Sequence, residues 1–423
     1  MITSERELRA AGPLIVAASL AVVAAVAITA QNGLQDPWVC LAFAAFIAIG
    51  EVLRITLPGG REAAPLASAG ALAFALLPGF SGSDIHVTVA LAISVVTVGS
   101  VVGAFPRAFV GQGLHLDELA RRVLTTMLAS AVLIPLLPIV YPDRTDIDWK
   151  LALAMTLAAI LAGVLDAVLA AAVRSSQQRA PFRTAIVDES RALIGIASAI
   201  AATGVLIALA APVMGYWALP VFAVPLLLTQ FSFRRFATIE GTYQQTIRAL
   251  SRITEVGGYT ETGHARRVSR LAVMVGRELG VSERDLKELE YAANLHDIGQ
   301  LSLAEPIPGG TTTILSPADQ RTIAELGANV IEQTGVLTKA AEIVRRQADP
   351  YRPGPGRVDV TLPLESRIIK VVNAYDDLVG ASVESDRKLQ AVERLELGID
   401  REYDPDVVDT LARIVARQTE YAY

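Results

Sequence analysis

Apolar positions dominate the chain from about residue 12 to about residue 230, and the pattern then changes abruptly. Eight apolar runs follow one another at 12–30, 37–57, 64–80, 85–105, 121–141, 150–173, 190–212 and 215–231. Most reach the roughly 20 residues that a helix needs to cross hydrocarbon, the third and eighth being shorter. Breaks such as "LPGGREAAP" and "YPDRTDIDWK" separate them with Pro, Gly and charge. The pattern predicts an eight-span helical membrane domain over residues 1–231. The first run ends in "ITAQ", as a cleaved leader would, but its flank "SERELR" is not strongly basic and further spans follow, so it reads as the first span.

After "LLLTQFSF" the spacing becomes amphipathic. Phe236, Ile239, Tyr243, Ile247 and Leu250 recur at three- and four-residue steps, which predicts a connector helix over 232–256. Such a helix suits a tether, a relay of movement, or pairing with its own copy in a homodimer. From 257 to 423 the periodicity is helical without clear strands, punctuated by Gly257–Gly258 and Gly280. "VSERDLKELEYAANL" opens with Ser282 as N-cap. The fold class expected is all-α: a polytopic helical membrane domain followed by a helical bundle.

Composition sharpens this picture. The chain is 52% hydrophobic and only 19% charged, outside the range of ordinary soluble domains. With eight spans, thirteen Arg (6, 9, 54, 61, 107, 121, 122, 174, 179, 183, 191, 234 and 235) fall on one side, against Arg144 and Lys150 on the other. The positive-inside rule then places both termini in the cytoplasm and the protein in the cell membrane, with the lipid bilayer as a partner. The formal net charge of -6 and the lack of a long basic run give no surface for DNA. Cys40 is the single cysteine, so no internal disulfide forms. Asp166, in "LAGVLDAVLAA", is the one acid well inside a span, where it must face other helices as a ligand contact or an interhelical hydrogen bond.

The candidate chemistry lies in the C-terminal part. His264 opens one apolar helix and the pair His296–Asp297 lies on another. Imidazole and carboxylate together suit a divalent transition metal such as Mn, Fe or Zn. A local hydrogen-bonded His–Asp pair without metal fits the same residues.

The segments "GHARRV", "AANLHDIGQLSL", "RIIKVVNAYDDLVG" and "REYDPDVVDTLARI" resemble, in this order, the landmarks of the HD superfamily, and more closely of its HD-GYP branch, over about 245–417. The resemblance implies an all-helical HD bundle and metal-dependent phosphohydrolysis, in that branch of cyclic di-GMP. It implies His264, His296, Asp297 and Asn373 as metal ligands, with Asp297 and Gln300 in catalytic positions. Several positions depart from the family. Gln300 replaces a phosphate-meeting Lys, and Asn373 replaces the last Asp ligand. Arg346 and Gln347 stand where a double His is expected, and "RTIAELGANVI" lacks another. The GYP signature is reduced to "PGPG". The chain has four His in all, two of them in or beside membrane segments, whereas a complete HD-GYP site uses about five. Asp376, one turn after Asn373, either lends a carboxylate to the metal or is a surface acid. Arg345 and Arg346, with Arg352, are candidates to bind phosphate where the histidines are missing.

Three functions fit: a membrane-anchored signalling phosphohydrolase with a reduced site and impaired or altered phosphodiesterase activity, acting on a nucleotide or other phosphate ester; a catalytically dead relative that binds a nucleotide or protein partner; and, least supported, a transporter or channel with a regulatory domain.

Overall fold

The computed structural model describes residues 5–57, 61–83, 85–109, 115–142, 147–178, 181–307, 310–354, 358–382 and 384–420. Arg144, Arg179 and half of the "PGPG" stretch lie outside them. The described chain is all-helical apart from one short hairpin, and it divides into two compact units. Unit 1 is Met1–Gln178 with Ala185–Thr238; unit 2 is Arg179–Thr184 with Ile239–Tyr423.

Unit 1 contains α1 (Glu5–Asn32), α2 (Pro37–Val52), α3 (Pro65–Ala75), α4 (Val89–Phe109), α5 (Leu116–Val140), α6 (Trp149–Gln178), most of α7 (Phe182–Ala192), α8 (Ser198–Met214) and the start of α9 (Ala218–Val256). Strands β1 (Ile55–Leu57) and β2 (Arg61–Ala63) pair antiparallel between α2 and α3. Five helical stretches are long and apolar enough to cross a membrane: Ala11–Asn32, Val89–Phe109, Leu116–Val140, Trp149–Gln177 and Gly195–Val256. The last is interrupted where Gly215, at φ 56°, ends α8. Eight full crossings are not confirmed. The second and third runs fold as helices of only 16 and 11 residues. At 1.5 Å per residue these fall short of the roughly 30 Å of a hydrocarbon core. The third run is apolar for another reason: α3 is buried almost throughout, against α2, α4, α5 and α8. Helices α2 and α4 approach closely through small residues. A Cβ on Gly99 would lie 2.7 Å from the Ala44 carbonyl oxygen, and one on Gly103 would lie 2.5 Å from that of Ala48.

Unit 2 is built from the end of α9 with α10 (His264–Glu278), α11 (Glu283–Leu295), α12 (Pro317–Glu332), α13 (Thr338–Arg345), α14 (Leu364–Val379), α15 (Ser385–Glu396) and α16 (Pro405–Glu420). The amphipathic segment expected at 232–256 is the C-terminal part of α9, whose Ile247 enters the core of this unit. Ser282 caps α11 as expected, its side chain accepting from the Asp285 amide. Helix α14 is central, with Ile368, Ile369, Val371 and Val372 fully buried against α10, α13 and α16.

Two local devices place the functional side chains. Gly263, in the left-handed region at φ 81°, turns the chain so that His264 becomes the first residue of α10. Helix α11 ends at Leu295, and a 3-10 turn at Ile298–Ser302 takes over immediately after His296–Asp297. That turn lies against α12 so closely that a Cβ on Gly299 would stand 2.0 Å from the Ile323 carbonyl oxygen. Gly299→Ala therefore forces backbone apart beside the site. It is expected to destabilise unit 2 by about 1–3 kcal/mol, read as a lowered melting temperature of the full chain. An unchanged transition would show that α12 yields freely.

Candidate metal centre

Three lone-pair atoms from two helices meet at one buried point. His264 Nε2 lies 3.3 Å from His296 Nε2, and each nitrogen lies 3.2 Å from Asp297 Oδ2. All three residues are at most 5% exposed. Ligand atoms held 2.0–2.1 Å from one tetrahedral metal stand about 3.3 Å apart, so these separations match a shared cation. Asn373 adds a fourth atom, its Oδ1 lying 3.1 Å from His296 Nε2.

The surrounding hydrogen bonds fix which atoms face the point. His296 Nδ1 donates to the Ala293 carbonyl at 2.9 Å, which leaves Nε2 with its lone pair. His264 Nδ1 donates to Asp376 Oδ2 at 2.8 Å, and Arg267 holds that carboxylate through Nε at 2.9 Å and a second nitrogen at 2.9 Å. Asp376 is thus neither a metal ligand nor a surface acid. It is a buried residue that orients His264, the role carboxylates commonly take behind a ligating imidazole. Asn373 donates through Nδ2 to Thr312 Oγ1 at 3.3 Å, which turns its carbonyl oxygen inward. Asp297 Oδ1 accepts from Gln300 Nε2 at 2.8 Å, whereas Oδ2 is buried with no hydrogen-bond partner. The contacts of Oδ2 with the imidazoles are short but not aligned as hydrogen bonds. An unsatisfied carboxylate oxygen facing two imidazole nitrogens is the donor set of a divalent-metal site, and His264, His296 and Asp297 form such a group.

Gln300 is a correction to the sequence expectation. It is fully buried, spends its amide on Asp297 and the Gly310 carbonyl, and does not line the adjoining cavity. It positions Asp297 rather than meeting phosphate. Arg345 and Arg346 are also not brought to the site. Arg345 pairs with Glu332 at 2.9 Å and Glu325 at 3.4 Å. Arg346 pairs with Asp349 at 2.9 Å and Asp359 at 2.5 Å. Both guanidiniums are neutralised, Arg345 by acids of α12 and Arg346 by its near neighbour Asp349 and by Asp359. Arg352 likewise pairs with Asp400 at 2.9 Å.

A cavity of about 580 Å³ opens onto the metal point, lined by His296, Asp297, Thr312, Arg321, Lys370 and Asn373 among others. Two cations there went unread in the sequence. Lys370 is held by the Ala348 and Asp349 carbonyls and by Glu402 at 3.0–3.1 Å. Arg321 is exposed and bonds the Pro317 carbonyl through Nε, with no acidic partner among the described residues. Its segment, "RTIAELGANVI", invites a search for a missing histidine, which passes over the Arg at its head. Gln347, in the place of a family histidine, reaches back and donates to the His296 carbonyl at 2.7 Å.

Residues 249–407 match the HD domain family. The chain is 27% identical over 186 residues to the cyclic di-GMP phosphodiesterase response regulator RpfG of Xanthomonas campestris, covering 41% of this chain and 49% of that protein. It is 23% identical over 207 residues to a cyclic di-GMP phosphodiesterase of Thermotoga maritima, covering 46% of this chain and 55% of that one. The chain thus spans about half the length of these curated relatives. No solved structure matches. Unit 2 thus contains the segment similar to an HD domain.

Without metal, the charges at the point are set by one another. Burial opposes a charge on His264, but the Asp297 and Asp376 carboxylates outweigh it and push its pKa up to about 10. Burial raises Asp297, and the two imidazoles overcome that and hold it down at about 2. The stability that His264 contributes is fully present below its ordinary value of 6.5 and is lost as pH rises towards 10. That of Asp297 is present above 3.8 and is lost as pH falls towards 2. Calorimetry of the full chain in chelator is expected to show the melting temperature falling between pH 7 and 10. Asp376→Asn should flatten that fall, and an identical slope in the variant would disprove the coupling.

Proposed function

We propose that the HD domain holds a single divalent cation between His264, His296, Asp297 and Asn373 and acts on a phosphate ester of the nucleotide class, with impaired or altered activity towards cyclic di-GMP. The observation that carries this reading is the convergence of three lone-pair atoms within 3.3 Å at the wall of a nucleotide-sized cavity. A cation bound there supplies Lewis acidity towards a phosphoryl oxygen and a more acidic bound water. The chain's own residues do the rest. Arg267 and Asp376 hold the His264 tautomer, Ala293 holds that of His296, and Gln300 keeps Asp297 Oδ2 aimed at the point. Arg321 is the free cation for a substrate phosphate. With Arg346 turned away and Gln347 bonded to backbone, neither supplies a ligand for a second metal. Unit 1 is proposed as a polytopic membrane anchor, with the HD domain in the cytoplasm as the arginine distribution suggests. Homodimerisation is proposed along the exposed α9 stripe of Ile239, Tyr243 and Ile253.

A second reading, a nucleotide-binding protein without catalysis, is favoured by Gln300 and Asn373, which leave one carboxylate at the centre. Elemental analysis and cyclic di-GMP turnover of the full chain separate the two. Near-stoichiometric Mn or Fe that disappears in Asp297→Ala supports the single-metal reading; metal-free protein that still binds nucleotide supports the second. For phosphate contact, Arg321→Ala is expected to weaken binding of a fluorescent cyclic dinucleotide about tenfold, as for one charged hydrogen bond. Arg345→Ala and Arg346→Ala should leave it within about twofold. The reverse order in an anisotropy titration would refute the assignment of Arg321.

A further inference from the structure

The 3-10 turn at Thr312–Ile314 meets helix α14 beside the metal point, and Thr312, Thr313 and Asn373 line the same cavity. Two hydrogen bonds join the two elements. Asn373 Nδ2 donates to Thr312 Oγ1 at 3.3 Å, and Thr313 Oγ1 donates to Asp377 Oδ2 at 2.8 Å. The two bonds are in register. Asn373 and Asp377 stand one helical turn apart, where side chains are neighbours on one face, and their partners are consecutive in the turn. The far end of the turn is tied as well, since the Leu315 carbonyl accepts from Gln320 Nε2 of α12 at 3.0 Å. Asp377 is half-buried, and through its bond to Thr313 it fastens the turn on the α14 side.

The chemistry of the fourth ligand explains why such a fastening matters. A carboxylate offers an oxygen whichever way it rotates, but a carboxamide has an oxygen on one edge and an NH2 group on the other. Turned over, Asn373 would direct N–H groups at the cation, which repels them. Its oxygen faces inward, 3.1 Å from His296 Nε2, when the NH2 has an acceptor on the outer side. Thr312 Oγ1 is that acceptor. A shift of the turn by about 1 Å would carry this 3.3 Å contact beyond hydrogen-bond reach. The position of the turn therefore controls which edge of the amide the cation meets.

We propose that Asp377 is a positioning residue that acts through Thr313 and Thr312 to keep the Asn373 carbonyl oxygen, and not its NH2, on the cation; this rests on the single-metal reading above. The test titrates Mn2+ alone into the chelator-stripped full chain in nanodiscs and follows the free ion by electron paramagnetic resonance. Thr312→Val removes the acceptor and is expected to weaken Mn2+ binding about tenfold, at the low end for a residue behind a ligand. Asp377→Ala and Thr313→Val cut the bond one step further out, from either side, and are expected to weaken it about threefold. Asp377→Asn keeps an oxygen that accepts from Thr313, so it is expected to bind as the wild type does, which separates positioning from the loss of a nearby charge. In an Asn373→Asp background either oxygen can ligate, and Thr312→Val and Asp377→Ala are expected to lose their effect. Wild-type affinity in Thr312→Val and Asp377→Ala, equal weakening by Asp377→Asn and Asp377→Ala, or full additivity with Asn373→Asp would each overturn the assignment of Asp377 and leave the metal centre standing. Wild-type protein that takes up no Mn2+ would overturn the single-metal reading and this inference with it.

Discussion

The HD domain depends on keeping three lone-pair atoms in van der Waals contact. The His264 and His296 nitrogens and the Asp297 oxygen repel one another unless a positive charge lies between them. In the metal-free protein a proton on His264 meets that need, as its raised pKa indicates. A divalent cation meets it with twice the charge. The turn at Gly263, the end of α11 and the close packing of Gly299 on α12 are the local features that hold these atoms together against their repulsion.

The layer behind them explains what the substitutions at Gln300 and Asn373 change. A carboxylate in place of Asn373 would add an attraction to a bound cation of a few kcal/mol, on the order of 4 kcal/mol for unit charges about 4 Å apart at an effective dielectric of about 20. The neutral amide forgoes most of this, although its oxygen is still turned inward by Thr312. Asp376 does not restore it, because Arg267 neutralises it directly. The reading of a single site with a reduced charge rests on that neutral amide. Gln300 keeps the site's geometry by bonding Asp297, a task for which an amide suffices where a phosphate contact would need a cation.

Much of this was legible in the sequence. The order of the four motif segments pointed to the HD domain, and Ser282 marked its helix start. His264, His296 and Asp297 could be singled out as candidate ligands because residue type limits metal chemistry, and the fold brings their ligand atoms within 3.3 Å of one another. What escaped depended on partners distant in sequence. Arg345 and Arg346 read as free cations until the fold brought Glu332 of α12 and Asp359 against them. Asp376 stayed open between a metal ligand and a surface acid until α10 delivered Arg267 and His264. In unit 1 the third apolar run predicted a span because hydropathy does not distinguish lipid from protein neighbours, and α3 is surrounded by the latter. Arg122 reads only as one of the arginines of one membrane side, yet it forms a buried pair with Glu51, 71 residues away.

Both units follow one rule, that buried charge is matched, and the exceptions differ in weight. Most unmatched buried atoms are arginine Nε groups, including those of Arg54, Arg107 and Arg367, on guanidiniums whose other nitrogens are engaged. Such a residue leaves one donor unsatisfied and its charge compensated. Asp297 Oδ2 is different in kind, an anionic oxygen without a donor among electron-rich neighbours. The desolvation of an ionised group far exceeds that of one N–H, so Asp297 Oδ2 needs a positive charge beside it, which a proton on His264 supplies in the metal-free protein.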